Sequence, residues 1–450
     1  MKKTVIVILL IVGMGTAWGQ RGQWWCGMSK KTGLALCIHL TNTNAELYSP
    51  LQTSEPIPVS KWSLEGDKLT LECGSIGLKM NLTRKDSTWQ GYWKQSILKE
   101  DITLYPTDTL YQLRRPQTPQ PPYRFDEETI VTDYTDSQGN KVHLEGTLSV
   151  PRCSASRYPC LVLVSGSGQQ NRDEEIMQHR PFLVLADYLA SQGIAVLRYD
   201  DRGVGASTGS IDNGSTALYS EDAEAMFNAV KENPHVDPSR LGIGGHSEGG
   251  AIAPMVAARN KDVRFVVMLA GQGCSGLDVM LQQNEAISRA MGISEKLLTL
   301  RMDCMRELFS MPAGTSQKEY KAVISRHTAG LSKEEVDSIG LGRGTAAALK
   351  EQLEGTWMQA FLHLDPADYL PKVSCPILAL QGTKDCQVVC EPNLERIRQL
   401  TDGRAVCKAL PGLNHLFQSC TTGSPEEYQL IEQTFAPEAM KEIAVWIEGR

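Results

Sequence analysis

Three residues that lie far apart in the sequence have the side chains of an acyl-transfer site, and they occur in the order serine, carboxylate, histidine. Ser247 lies in a Gly-His-Ser-Glu-Gly segment, Asp385 follows an apolar segment, and His415 is the only one of the eight histidines after Asp385. A serine hydroxyl becomes a good nucleophile when an imidazole takes its proton, and that imidazole needs a carboxylate to fix its tautomer. The sequence therefore predicts a catalytic triad of Ser247, Asp385 and His415, with Asp365 and Asp368 as alternative acids.

The segment around the serine has the pattern of a strand, a sharp turn and a helix. An apolar run from Leu241 meets Gly245-His-Ser-Glu-Gly249, and small residues continue from Ala251 to Ala258. A nucleophile elbow strains the backbone at the serine, and flanking glycines remove the Cβ atoms that would collide there. The segment alone also fits a glycine-rich turn with an exposed serine, but the downstream acid and histidine favour the elbow.

A second loop could supply the amides that stabilise a tetrahedral intermediate. Ser165-Gly-Ser-Gly168 follows a buried apolar run and brings flexible backbone to the end of a strand. Such an oxyanion hole needs one amide from the residue after the nucleophile, Glu248, and one from this loop, for which Gln169 and Gln170 are the candidates. A phosphate cradle is the alternative, but the loop lacks the lysine and Ser/Thr of a P-loop. No metal-binding spacing occurs in the sequence, which predicts neither a metal nor a cofactor.

Charged residues cluster on two loops that we expect at the same end of the sheet. Asp200-Asp-Arg-Gly203 and Arg172-Asp-Glu174 are the two clusters, and we expect them to pair and to brace the oxyanion loop. His246 lies inside the elbow, where a packing role is expected because its side chain should point away from the substrate.

The elements that must position these residues alternate between strand and helix patterns from Tyr123 onward. This alternation predicts a mostly parallel sheet with helices on both faces. The alternation stops at about residues 272–365, where helical patterns predict a cap inserted between two strands. Trp357, Met358 and Phe361 of this cap are candidates to shape the substrate pocket.

The first part of the chain has a different pattern. Short alternating segments separated by turn residues predict a small all-β domain over residues 20–114, and a proline-rich linker follows over residues 115–122. Five tryptophans fall in this domain, and we expect core packing rather than a carbohydrate platform. They are Trp24, Trp25, Trp62, Trp89 and Trp93.

Composition and the N-terminus restrict the class of protein. The net charge of −7 and the pI near 5.7 give no electrostatic reason to bind nucleic acid or an anionic membrane. Residues 1–19 have two lysines, a short apolar run and small residues before Gln20, which predicts a cleaved signal peptide and export to the periplasm or the medium. The apolar run is too short for a stable membrane anchor.

Twelve cysteines in an exported chain make disulfides plausible. Three close pairs are the first candidates: Cys153 with Cys160, Cys386 with Cys390, and Cys407 with Cys420. Buried free thiols are the alternative that the sequence leaves open.

Three motifs together resemble secreted bacterial serine esterases of the α/β-hydrolase fold that carry a small β domain ahead of the hydrolase domain. They are Ser165 to Glu174, Arg198 to Ser207 and Gly245 to Gly250, and the resemblance extends over residues 123–450. It implies an α/β-hydrolase fold and a carboxylesterase that acts on short-chain acyl esters of small molecules, acylated carbohydrates included. An aminopeptidase or acyl-peptide hydrolase on the same fold, and a non-catalytic glycan-binding protein, are the alternatives.

Overall fold

Two eight-stranded sheets, each in its own unit, carry the fold. The computed structural model describes residues 22–29, 34–41, 43–52, 55–95, 98–153 and 155–450. The expected signal peptide, residues 1–19, lies outside the described residues. No helix in the described part of the chain combines the length and the apolar character needed to cross a bilayer.

The first unit is an antiparallel sheet, as its alternating apolar pattern predicts. Its strands follow the order β3-β2-β1-β8-β7-β6-β5-β4. They are β1 (Gln23–Met28), β2 (Ala35–Leu40), β3 (Ala45–Tyr48), β4 (Lys61–Glu65), β5 (Lys68–Cys73), β6 (Leu78–Lys85), β7 (Thr88–Gln95) and β8 (Leu98–Thr107). Trp25, Trp89 and Trp93 are buried in its core, which is the packing role expected for them.

One disulfide, Cys26–Cys37, joins β1 to β2 at directly opposed positions of the antiparallel pair. The three pairs expected from sequence are wrong, since all six of those cysteines are free thiols. Closeness in sequence does not bring their sulfurs together: Cys160 lies within a buried strand whereas Cys153 is exposed, and Cys390 opens a helix whereas Cys386 lies in the loop before it.

The second unit contains a mostly parallel sheet with the order β16-β15-β14-β13-β11-β12-β10-β9. Strands β9 and β10 pair with each other in antiparallel fashion, β10 is also antiparallel to β12, and the remaining pairs are parallel. The strands are β9 (Phe125–Thr135), β10 (Lys141–Pro151), β11 (Tyr158–Val164), β12 (Ala195–Tyr199), β13 (Val236–His246), β14 (Val266–Leu269), β15 (Ile377–Gly382) and β16 (Val406–Leu410).

Helices cover both faces of this sheet because its central strands are apolar on both sides. In β11, Val162 and Val164 face one core, which α2, α3 and α10 complete, whereas Leu161 and Leu163 face a second core completed by α1 and α11. The helices are α1 (Pro181–Ser191), α2 (Thr216–Lys231), α3 (Gly249–Arg259), α10 (Cys390–Leu400) and α11 (Pro437–Glu448).

The helical insertion predicted between two strands is confirmed between β14 and β15. It comprises α4 (Gly276–Ala290), α5 (Glu295–Phe309), α6 (Gln317–His327), α7 (Lys333–Ser338), α8 (Thr345–Glu354) and α9 (Thr356–Leu362). These helices have a core of their own, with Leu308, Tyr320 and Leu353 buried in it.

Candidate active site

The turn between β13 and α3 places Ser247 in a backbone conformation that few residues adopt. Ser247 has a φ of 55°, in the left-handed region. A Cβ on Gly245 would lie 2.3 Å from the backbone of Gly249, and a Cβ on Gly249 would lie 2.2 Å from the carbonyl oxygen of Val164. Only glycines therefore permit this close approach of strand, turn and helix, which is the geometry of a nucleophile elbow.

The two other predicted triad residues meet at the ends of the last two strands. Asp385 follows β15 and His415 follows β16, and the Nδ1 atom of His415 lies 2.7 Å from Oδ2 of Asp385. The other carboxylate oxygen accepts the amides of Gln387 (2.7 Å) and Val388 (2.9 Å). With Gln381 also donating to Oδ2 at 3.2 Å, four hydrogen bonds orient the carboxylate toward the imidazole.

The alternative acids belong to a different element. Asp365 and Asp368 lie at a short 3-10 helix that precedes β15, and Asp365 caps that helix by accepting the amide of Ala367 at 2.9 Å. Asp385 is thus the carboxylate that the fold brings to His415.

On the oxyanion side, the structure separates the two glutamine candidates. The amide of Gln170 donates to Oδ2 of Asp201 at 2.9 Å and is therefore already engaged. The amides of Gln169 and Glu248 make no hydrogen bond to another described residue. Both residues line one cavity together with Gly166 and Gly168, and Ser247 is not among the residues that line it. The oxyanion hole of Glu248 and Gln169 stays a prediction, in which Gln169 is preferred to Gln170 because its amide is not engaged.

The expected pairing of the two charged clusters is confirmed. Arg172 binds Asp200 with two nitrogens, at 3.1 and 2.6 Å, and its own amide donates to the same carboxylate at 2.8 Å. Asp201 accepts the hydroxyl of Ser165 at 2.8 Å, in addition to the Gln170 amide. Burial raises the pKa of Asp201 well above its usual value, because these neutral donors only partly replace water.

Sequence reasoning left the side chain of Glu248 unassigned, and the structure gives it partners in two helices. Its Oε1 atom accepts the Thr216 hydroxyl of α2 at 2.6 Å and the Trp357 indole of α9 at 2.8 Å. Burial raises the pKa of Glu248, and the hydrogen bonds from Thr216, Trp357 and Ser167 oppose this shift. Glu248 thus joins the inserted helices to the loop that carries Ser167.

Sequence reasoning also missed the partner of His246, which is Glu174 at 3.0 Å. The two residues are separated by 72 positions, and the only sequence signal was the presence of both in motifs that flank the site. The other pocket candidates, Met358 and Phe361, are buried among the inserted helices and their neighbours.

Comparison with protein families relates this chain to known hydrolases. The profile of the family described as serine aminopeptidase, S33, matches residues 179–418, which is more than half of the chain and includes Ser247, Asp385 and His415. The chain belongs to this family. The profile of the acetyl xylan esterase family also matches, over residues 86–271. The membership in an α/β-hydrolase group with esterases, which the three motifs implied, is confirmed.

Individual relatives are distant. Esterase EstD of Thermotoga maritima is 25% identical over 378 residues, which cover 83% of this chain and 77% of that protein. Among solved structures, Est1E of Butyrivibrio proteoclasticus with bound ferulic acid is 17% identical, has a TM-score of 0.40 and covers 71% of this chain and 100% of its own. An esterase of Pyrococcus furiosus is 14% identical, has a TM-score of 0.42 and covers 76% of this chain and 98% of its own.

Proposed function

We propose that this protein is a serine carboxylesterase that hydrolyses short-chain acyl esters through an acyl-enzyme intermediate. The observation that carries the proposal is the hydrogen bond of 2.7 Å between His415 and Asp385. These two residues lie on loops that follow the neighbouring strands β16 and β15, and the same sheet contains the elbow with Ser247. A carboxylate bound to Nδ1 leaves Nε2 of the imidazole to accept the serine proton.

The reaction follows from these roles. Ser247 Oγ attacks the ester carbonyl while His415 Nε2 takes its proton, and Asp385 stabilises the resulting imidazolium. The carbonyl oxygen becomes an oxyanion that the amides of Glu248 and Gln169 bind. His415 then protonates the departing alcohol, and a water molecule, deprotonated by the same histidine, releases the acid and restores the serine.

Two comparisons support ester hydrolysis, and the first of them supports a small acyl group. The acetyl xylan esterase profile ends at residue 271 and therefore includes the oxyanion loop and the elbow. Esterase EstD, the relative that covers 83% of this chain, is also named for ester hydrolysis. We infer that acetyl esters of small alcohols or carbohydrates are the first substrates to test.

The description of the S33 family favours a second candidate, an aminopeptidase with the same three residues. A peptidase must protonate an amine leaving group, which is harder than releasing an alcohol, so the two activities are separated by the relative rates on matched substrates. A non-catalytic glycan-binding protein has less support, because the acid–histidine pair is intact.

The test is one panel of substrates with one control variant. We expect p-nitrophenyl acetate and acetylated xylo-oligosaccharides to be hydrolysed faster than p-nitrophenyl octanoate and far faster than aminoacyl p-nitroanilides, and Ser247→Ala to be inactive on all of them. Faster turnover of the anilides would favour the aminopeptidase, and hydrolysis by Ser247→Ala at the wild-type rate would contradict both candidates.

We also propose that the mature protein is exported, because residues 1–19 resemble a signal peptide and Cys26–Cys37 forms a disulfide, a bond typical of oxidising compartments. N-terminal sequencing of the protein recovered from the periplasm or medium should begin near Gln20. Recovery of full-length protein from the cytoplasm would contradict this.

A further inference from the structure

His246 of the elbow and Glu174 form a buried pair of side chains that has no role in the mechanism above. Both are nearly inaccessible, at 5% and 7% exposure. His246 Nδ1 lies 3.0 Å from Oε1 of Glu174, and His246 Nε2 lies 2.9 Å from the backbone carbonyl oxygen of His415. One imidazole therefore contacts both the motif that follows the oxyanion loop and the backbone of the proposed base.

The partners of this imidazole determine its protonation. A carbonyl oxygen can only accept, so Nε2 must carry a hydrogen. Oε1 of Glu174 also accepts the amide of Gly166 at 2.7 Å, which favours the ionised carboxylate and requires a hydrogen on Nδ1 as well. His246 is then an imidazolium that donates from both nitrogens.

Glu174 is held in an unfavourable conformation to make these contacts. Its φ is 51°, a left-handed value for a residue with a side chain, and its amide donates to the carbonyl of Asn171 at 2.8 Å. Such conformations persist where the surrounding structure over-determines them, and they cluster at functional sites. The turn directs the carboxylate back to Gly166, where an added Cβ would lie 3.2 Å from the Cβ of Ser247.

We propose that Glu174 and His246 are positioning residues. They hold the oxyanion loop and the backbone of His415 in fixed positions relative to Ser247. The pair acts only while His246 is protonated, because loss of the Nδ1 proton turns a hydrogen bond into a contact between a lone pair and a carboxylate. The activity then falls on the alkaline side as His246 deprotonates. This inference rests on the proposed roles of Ser247 and His415.

The titratable groups around His246 favour its protonated form. Glu174 and His415 contact it directly, and Asp385 acts on it through its charge. Burial lowers the pKa of His246, but the charge and hydrogen bond of Glu174, with smaller effects of the His415 carbonyl and Asp385, outweigh burial and raise the pKa above its usual value. The ring of Phe417, with its centroid 6.4 Å from that of His246, adds no charge.

The experiment compares Glu174→Gln and His246→Gln with the wild type in pH profiles of kcat and KM on p-nitrophenyl acetate. Glu174→Gln keeps the size of the side chain but removes the charge, so we expect the alkaline limb of kcat to move to lower pH by about one unit or more. His246→Gln should lower kcat by about 10- to 100-fold, with KM within about threefold of the wild type, because positioning is lost but no substrate contact is.

Two controls separate this proposal from a general loss of structure. Glu100→Gln changes another buried glutamate, in the first unit, and should leave the limb unchanged. The double variant should be no worse than His246→Gln, since both residues act as one unit. An alkaline limb that stays in place in Glu174→Gln, at unchanged Tm, would overturn the proposal. Failure of Ser247→Ala to abolish activity would overturn the proposed function instead.

Discussion

The two loops that flank Ser247 are held in different ways. The loop of Asp385 is fixed by contacts within a few residues, since its carboxylate accepts the amides of Gln387 and Val388. The oxyanion loop is fixed by a side chain from another loop, because Asp201 accepts hydrogen bonds from the Ser165 hydroxyl and the Gln170 amide. We therefore expect that the Asp385 loop needs a carboxylate at that position. On the oxyanion loop, an amide side chain could make the same hydrogen bonds as Asp201.

The largest effect that this comparison predicts is that of Asp385→Asn. Two backbone amides require an oxygen at the Oδ1 position, so the new NH2 group would point at His415 Nδ1 and force the hydrogen of the imidazole onto Nε2. Nε2 could then no longer accept the serine proton. We expect kcat to fall by about 10³- to 10⁴-fold at unchanged KM, measured on p-nitrophenyl acetate. A loss below tenfold would mean that Asp385 does not fix the tautomer.

The matched substitution on the other loop, Asp201→Asn, should have little effect. An asparagine oxygen can accept the Gln170 amide while its NH2 group donates to the Ser165 hydroxyl, and burial already favours a neutral side chain there. We expect kcat to stay within about threefold of the wild type, whereas Asp201→Ala should lower it by about tenfold because one amide of the loop loses its partner. Equal losses in both variants would show that the charge of Asp201 matters.

A smaller effect is expected at the contact between the inserted helices and the elbow. Trp357→Phe removes the donor to the buried Glu248 carboxylate but keeps an aromatic ring beside Phe361. The free energy of unfolding should fall by about 1–2 kcal/mol in urea titrations. Trp62→Phe, at a partly buried site in the first unit, is the matched control, and an identical loss in both would argue against a specific role of the indole.

The smallest effect is a dependence of stability on pH. The folded-state pKa of His246 is raised, so its protonation stabilises the fold at pH below about 6.5, the usual histidine pKa, and this contribution is lost as the pH rises through the folded-state value. Urea unfolding at intervals between about pH 6 and 9 should show this decline in the wild type and a reduced one in Glu174→Gln. The opposite sign would contradict an ionised Glu174 beside an imidazolium.

The difference between the two loops also explains which parts of the site the sequence could predict. Ser247 and Asp385 each follow a strand of strong apolar pattern, and His415 is the only histidine after Asp385, so these three residues could be inferred from the sequence. The partners of Glu248 and His246 could not, because Thr216, Trp357 and Glu174 reach them only through the packing of distant elements. Gln169 and Gln170 are equivalent oxyanion candidates in the sequence, because only the folded chain brings Asp201 to the amide of Gln170.

The same physical limit applies to the fold. The buried strands β11 and β15 could be predicted, because continuous apolar runs define them. Two strands have no clear sequence signal: β9, whose Asp126-Glu-Glu128 segment lies on an edge strand, and β1, which carries the disulfide. An edge strand such as β9 needs little apolar surface, so its pattern is weak, whereas β1 lies inside its sheet, between β2 and β8.

The most direct test of the central claim is labelling of the folded protein by a fluorophosphonate, which reacts with a serine only when a base activates it. The account predicts one adduct, located by peptide mass spectrometry on Ser247, absent in Ser247→Ala and strongly slowed in His415→Ala. No adduct on the wild type, or an adduct that survives Ser247→Ala, would contradict the account.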